Sequence, residues 1–124
     1  MRLIYKSFLF HMNLKNSFLR TKDKNQLLYD EAVLIELHLN GQQNLDQLHT
    51  LESELETSLP EGSHVDGNDV GENEATIYLY GSSADKIFKS IENTLKNSSF
   101  DYVNVILQYG LAEDPNTIEK RFTL

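Results

Sequence analysis

Three segments of the chain alternate aliphatic residues with residues of other kinds, a pattern that predicts β-strands. They are residues 32–39, 75–80 and 102–109. In each segment one set of alternate side chains is wholly apolar, and we expect that set to face the core. Its members are Val33, Ile35, Leu37, Leu39, Ala75, Ile77, Leu79, Val103, Val105 and Leu107.

Apolar residues at helical spacing predict two amphipathic helices. The first covers residues 44–58, where Asn44 and the glutamine three residues later form a capping-box pattern. The second begins after a serine cap, Ser82 or Ser83. The two apolar stripes consist of Leu48, Leu51, Leu55 and Leu59 in the first helix and of Ala84, Ile87, Phe88, Ile91 and Leu95 in the second.

The sequence pattern is weaker for two further strands. One lies around residues 63–66 and is expected to end in a turn at Gly67-Asn68, and a short final strand lies within residues 118–124. The order strand, helix, strand, strand, helix, strand is that of the ferredoxin-like fold. Because each helix has one apolar stripe, the pair covers only one face of a four-stranded antiparallel sheet. We therefore predict an α+β, ferredoxin-like domain over residues 31–124.

The other face of this sheet, here called the second sheet face, carries tyrosines and aliphatic residues. We expect it to be an interface, because tyrosine suits surfaces that are partly dry and partly wet. It could pair two copies of the chain, or the N-terminal or C-terminal segment could fold over it. The candidate interface residues are Leu34, His38, Tyr78, Tyr80, Tyr102 and Ile106.

The charge of the chain is divided unevenly. The total is −8, but residues 1–25 hold six basic groups and one acid, whereas residues 26–124 hold five basic and eighteen acidic groups, a net charge of −13. An acidic body repels phosphate backbones. We therefore expect no nucleic-acid partner, and we expect that RNA does not stack on the tyrosines. A basic protein partner or a second copy of the chain is easier to accommodate.

Residues 1–30 form a basic N-terminal extension that we expect to be peripheral or partly disordered. Its apolar residues near the start resemble a signal-peptide core, but Lys6 interrupts the run and no cleavage site follows. A basic amphipathic segment on a membrane surface is an alternative. No run approaches the length of a membrane span. The chain has no cysteine, which excludes disulfides and thiolate sites and suits a cytoplasmic protein.

Acidic residues are dense between positions 61 and 74 and suggest oxygen ligands for Ca²⁺ or Mg²⁺. The spacing begins like an EF-hand loop, but the twelfth position is Ile77, which supplies no carboxylate. Asp and Asn with glycine are also ordinary turn residues. We therefore predict no metal and no cofactor, and we keep four weak metal candidates: Asp66, Asp69, Glu72 and Glu74.

No combination of nucleophile and base is visible, so the chain is not expected to be an enzyme. The histidines lack metal-ligand spacing. Glu52 and Glu56 are interpreted as part of a solvated helix face. Gly81-Ser82-Ser83 opens a helix after a strand and could bind an anion there, but it lacks the P-loop and dinucleotide-binding patterns.

A set of short motifs resembles small stand-alone bacterial proteins of uncharacterised function. The motifs are Asp66-Gly-Asn-Asp-Val-Gly71, Glu74-Ala-Thr-Ile-Tyr-Leu-Tyr-Gly81, Ala84-Asp85 and Val105-Ile-Leu-Gln-Tyr-Gly110, within residues 32–124. The resemblance implies a fold and a bacterial origin, and it brings no catalytic residues.

Three functions follow as hypotheses. The leading one is a non-catalytic interaction or regulatory domain that self-associates through the second sheet face. The second is an acidic immunity-type or inhibitor protein that binds a basic toxin or nuclease. The third is a binder of a small ligand or divalent cation at residues 66–74.

Overall fold

The computed structural model describes residues 31–39 and 45–124. Within these two ranges, seven elements follow one another in the order strand, helix, strand, strand, helix, strand, strand. They are β1 (Glu31–His38), α1 (Leu45–Ser58), β2 (His64–Val70), β3 (Glu74–Gly81), α2 (Ala84–Lys96), β4 (Val103–Gln108) and β5 (Glu119–Thr123).

The five strands form one antiparallel sheet in the order β2-β3-β1-β4-β5. The predicted α+β class is confirmed. The four-stranded sheet was wrong in strand number, because β5 pairs with β4 along its whole length and extends the sheet by one strand. β1 lies in the centre, between β3 and β4.

Both helices supply their apolar stripes to a single core on one face of the sheet. All the strand residues predicted to face the helices belong to this core, with Leu39 only partly buried. Phe122 of β5 joins it through Phe88 of α2, and their ring centroids lie 5.0 Å apart in an edge-to-face arrangement. The alternation of the strands therefore predicted the core correctly.

The helices begin and end near the predicted residues. Ser83 is the N-cap of α2, and its hydroxyl accepts a hydrogen bond from the N–H of Lys86. The carboxylate of Glu31, at the start of β1, accepts a second one from the N–H of Ala84. These acceptors satisfy two of the N–H groups that the first turn of a helix leaves without partners.

The segment after α1 differs from the prediction. β2 does not end at Asp66 but runs to Val70, and Gly67-Asn68 lies within the strand rather than in a turn. The register with β3 shifts between Val65 and Gly67, so Asp66 is an extra residue in a β-bulge. The strand continues because Asn68 pairs with β3 on one side and its amide binds α1 on the other.

The structural expectations for residues 1–30 and 40–44 lie outside the described residues, including the basic extension and the Asn44 cap. Within residues 31–39 and 45–124, no helix is long and apolar enough to cross a membrane.

Candidate functional site

A second apolar cluster lies on the sheet face turned away from the helices. Leu34 of β1 is its centre, because the strand register places it opposite Tyr78 of β3 on one side and Ile106 of β4 on the other. Ala32 belongs to the same cluster and Tyr80 packs against it. These five residues are called the apolar centre of the second sheet face.

The candidate interface residues fall into three classes of exposure. Three of the candidates are buried, with Tyr78 1% exposed, Ile106 3% and Leu34 7%. Tyr80 is half-buried. His38 is exposed, and Tyr102 is 61% exposed. The structure therefore places the six residues on or beside one face but leaves only two of them fully accessible.

The two exposed residues form an aromatic pair at one end of the sheet. The ring centroids of His38 and Tyr102 lie 5.8 Å apart with their planes nearly perpendicular. The backbone N–H of His38 also donates a hydrogen bond of 3.2 Å to the carbonyl of Tyr102. The pair thus stands where β1 ends and just before β4 begins.

Carboxylates flank the apolar centre, three of them toward the end of β1 and one on the edge strand β5. Because side chains alternate along a strand, the register assigns them to the same face as the cluster. Arg121 of β5 lies on this face too, and its guanidinium is bound to the carboxylate of Glu119 at 3.3 Å. The carboxylate border consists of Glu36, Asp69, Glu74 and Glu119.

The weak metal candidates are dispersed by the β2–β3 hairpin. Asp66 occupies the bulge with its carboxylate 3.5 Å from the ring nitrogen Nε2 of His64. Asp69 lies on the second sheet face, while Glu72 is exposed in the turn and Glu74 begins β3. Among the described residues, no three histidine or acidic side chains converge as a metal site would require.

Two acidic residues of α1 bind β2, which the sequence pattern did not predict. Glu56 is exposed, as a solvated helix face requires, whereas Glu52 is half-buried. The carboxylate of Glu52 accepts a hydrogen bond of 2.7 Å from the side-chain amide of Asn68, and that of Glu56 accepts one of 2.9 Å from the N–H of Val65. Their spacing of four residues puts them on one side of the helix, and that spacing was the available signal.

Sequence reasoning also missed a phenol–carboxylate pair. The hydroxyl of Tyr109, just after β4, donates a hydrogen bond of 2.6 Å to the carboxylate of Asp85 in the first turn of α2. This bond raises the pKa of Tyr109 to about 12, with smaller contributions from burial and from the charges of Asp85 and Glu31. The bond keeps the phenol in its neutral, donating form and ties the end of β4 to α2.

An open groove of about 430 Å³ lies on the helix side, between the start of α1 and the turn after α2. Leu51 and Phe100 are its apolar lining, and the acids Asp46 and Glu54 stand among hydroxyl and amide groups. Among the residues that the structure describes, no basic side chain lines the groove. No local sequence pattern predicts this groove, because its walls come from segments some fifty residues apart.

Comparisons of the chain with protein-family models, with curated proteins and with solved structures found no match. The resemblance to small bacterial proteins therefore stays a prediction.

Proposed function

We propose that the chain is a non-catalytic protein-interaction domain whose second sheet face binds a polypeptide segment that is both apolar and basic. The observation that carries the proposal is the apolar centre inside the carboxylate border. An apolar strip supplies binding free energy by burial, and a border of one charge selects the partner. A partner rich in aliphatic or aromatic residues and in lysine or arginine meets both requirements.

The charge distribution along the chain favours a basic partner. From residue 26 to residue 85 the chain contains no lysine or arginine, and this stretch includes β1, α1, β2 and β3. On the second sheet face, the guanidinium of Arg121 is already bound to Glu119. The described residues therefore give a negative field above the apolar centre, which speeds association with basic segments and opposes acidic ones.

A structural role for several acids supports the non-catalytic part of the proposal. The carboxylates of Glu31, Glu52 and Glu56 are each held by an N–H group of the backbone or of an amide, at distances of 2.7 to 2.9 Å. Such carboxylates connect helices to strands. A general acid or base would instead face a space that a substrate could enter.

Self-association is a second candidate, favoured by the exposed aromatic pair of His38 and Tyr102. Exposed aromatic residues at the edge of an apolar surface are typical anchors of protein interfaces. Light scattering during gel filtration tests this candidate, with Tyr102→Ala as the disrupting variant. Ile118→Ala is the matched control, since Ile118 is 70% exposed and lies near the opposite end of β4 from Tyr102. A wild-type chain that is monomeric at high concentration excludes the candidate.

We further place β1 to β4 and the two helices in the ferredoxin-like class, with β5 as an addition at the β4 edge. The support is the antiparallel order β2-β3-β1-β4 together with helices on a single face. We also expect the domain to act in the cytoplasm, because the chain contains no cysteine.

The binding experiment uses a fluorescent peptide of alternating leucine and lysine and, as its counterpart, the same peptide with glutamate in place of lysine. It is titrated with the wild-type chain and with a tail-neutral chain carrying Lys15→Gln, Arg20→Gln and Lys22→Gln, so that basic groups of the chain itself compete less. We expect the lysine peptide to bind and the glutamate peptide not to bind. The proposal fails if neither chain binds the lysine peptide.

The position of the site is tested by reversing charges in the tail-neutral chain. Glu36→Lys with Glu74→Lys changes the carboxylate border and is expected to weaken binding about tenfold, as the loss of a few exposed ion pairs does. Glu54→Lys with Glu61→Lys makes the same change of net charge at exposed positions on the helix side and is expected to change it less than about twofold. Equal effects of the two pairs would contradict the assignment of the site.

A further inference from the structure

The centre of the second sheet face is buried, although the described helices lie on the other side of the sheet. We propose that residues 1–30 of the same chain cover this face and compete there with an external polypeptide. The competition rests on the proposed function, whereas the cover rests on burial, chain length and composition alone.

The burial itself requires a covering group. Tyr78 is 1% exposed, but the members of its cluster among the described residues are strand residues of the same sheet, which lie beside it rather than above it. The apolar stripes of α1 and α2 belong to the other cluster. An antiparallel sheet with helices on one face leaves its other face to solvent unless a further segment packs there.

The described loops do not supply this segment. The connection between β4 and β5, residues 109–118, has most of its residues exposed. Residues 40–44 read Asn-Gly-Gln-Gln-Asn and contain no large apolar side chain. Residues 1–30 are the remaining part of the chain.

The length and the attachment of residues 1–30 fit the task. They join the chain at Glu31, the first residue of the central strand, so they start in the middle of the sheet. Five strands span about 19 Å across the sheet and an eight-residue strand extends about 27 Å. Thirty residues reach about 45 Å even if helical, which exceeds both dimensions.

The composition of residues 1–30 matches the face. The segment holds many large apolar side chains, which are the groups that burial of Leu34, Tyr78 and Ile106 requires. Residues 1–25 also hold six basic groups and one acid, opposite to the carboxylate border. An apolar and basic segment is the occupant that this face selects, and the chain carries one next to its central strand.

The cover makes the domain self-limiting. A tethered segment acts at an effective concentration of the order of millimolar, so an external partner must exceed it in affinity or displace it. Basic polypeptides that bind with low affinity are then excluded from the second sheet face. Removing residues 1–30 or neutralising their charges makes the face accessible. This is a threshold on binding that the sheet alone does not have.

Zero-length cross-linking of the wild-type chain with a carbodiimide tests the cover directly. We expect bonds from lysines of residues 1–25 to the carboxylate border, with few to the helix-side acids Glu54 and Glu61. A mixture of ¹⁴N and ¹⁵N chains shows whether each bond joins one chain or two. Bonds to the helix side, bonds mainly between two copies, or no bonds at all would each overturn the proposal.

Nitration of tyrosine provides a second readout. We expect tetranitromethane to modify Tyr102 and spare Tyr78 in the wild-type chain, and to modify Tyr78 about tenfold faster in the tail-neutral chain. A control chain carries Lys86→Gln, Lys89→Gln and Lys120→Gln and has the same net charge as the tail-neutral chain. Its Tyr78 should react at the wild-type rate. Equal Tyr78 rates in all three chains would contradict the cover.

The leucine–lysine peptide separates this inference from the proposed function. If both hold, the peptide binds the tail-neutral chain about tenfold more tightly than the wild-type chain. Equal binding to the two chains supports the proposed function and overturns the cover. Border cross-links without any peptide binding support the cover and overturn the proposed function.

Discussion

The carboxylate of Glu31 accepts a hydrogen bond of 2.7 Å from the N–H of Ala84, which lies 53 residues further along the chain. This bond connects the first residue of the central strand to the first turn of α2. A carboxylate at a helix N-terminus gains both from the hydrogen bond and from the helix dipole. Strand and helix are thereby fixed relative to each other at one end of the sheet.

Replacing Glu31 is therefore expected to destabilise the fold. Glu31→Ala removes the acceptor and should lower the free energy of unfolding by about 1–2 kcal/mol. Glu31→Gln keeps an acceptor oxygen but loses the charge, and should lower it by about 0.5 kcal/mol. Urea unfolding followed by circular dichroism measures both values. Glu54→Ala, an exposed acid on α1, is the control, and a loss as large as that of Glu31→Ala would contradict the role of the bond.

The bond between Tyr109 and Asp85 predicts a pH dependence at high pH. The pKa of Tyr109 is about 12 in the folded chain against 10.0 for an ordinary tyrosine, chiefly because its hydroxyl donates to Asp85. The folded state holds this proton more tightly than the unfolded state. The stabilisation is thus complete below pH 10 and is lost as the pH rises from 10 towards 12.

Two variants test this dependence. Tyr109→Phe should be less stable than wild type below pH 10, and the difference should shrink above it. Asp85→Asn removes the main cause of the shift, so the Tyr109 signal in ¹³C-tyrosine NMR should titrate nearer pH 10. A wild-type Tyr109 that titrates near pH 10 would refute the assignment.

The contact between Glu52 and Asn68 is expected to position β2 against α1. A double-mutant cycle with Glu52→Ala and Asn68→Ala should give a coupling energy of about 1–2 kcal/mol, because the bond is charge-assisted and partly buried. Glu56→Ala with Asn68→Ala is the matched cycle, since Glu56 binds Val65 instead. Coupling of equal size in the second cycle would show that the two acids act through general charge.

These contacts also mark what the sequence could predict. The stripes of α1 and α2 and the alternation of β1, β3 and β4 are local patterns, so the core followed from them. The partner of Glu52 lies 16 residues away, and this contact forms only if β2 continues past Gly67. The Gly67-Asn68 pair instead favours a turn when it is judged from the sequence alone. Alternation likewise assigned Leu34, Tyr78 and Ile106 to one face but could not show that the face is buried.

Gly81 is expected to resist replacement because the space around it is filled. A Cβ atom added there would overlap the Ser63 hydroxyl and lie 3.0 Å from Cδ1 of Ile87, which is fully buried in α2. Gly81→Ala should therefore lower the free energy of unfolding by about 1–3 kcal/mol, as overpacking does. Adding Ser63→Gly should restore part of the loss, since only the contact with Ile87 then remains.

Gly71→Ala is the matched control for Gly81→Ala. A Cβ atom at Gly71 would meet its nearest neighbour, Cγ of Glu74, at 3.5 Å, which is an ordinary contact. The turn between β2 and β3 should therefore accept alanine with a change within about 0.5 kcal/mol. If both alanine variants unfold at the same urea concentration, or if Ser63→Gly restores nothing, then crowding above β3 is not the reason for glycine at position 81.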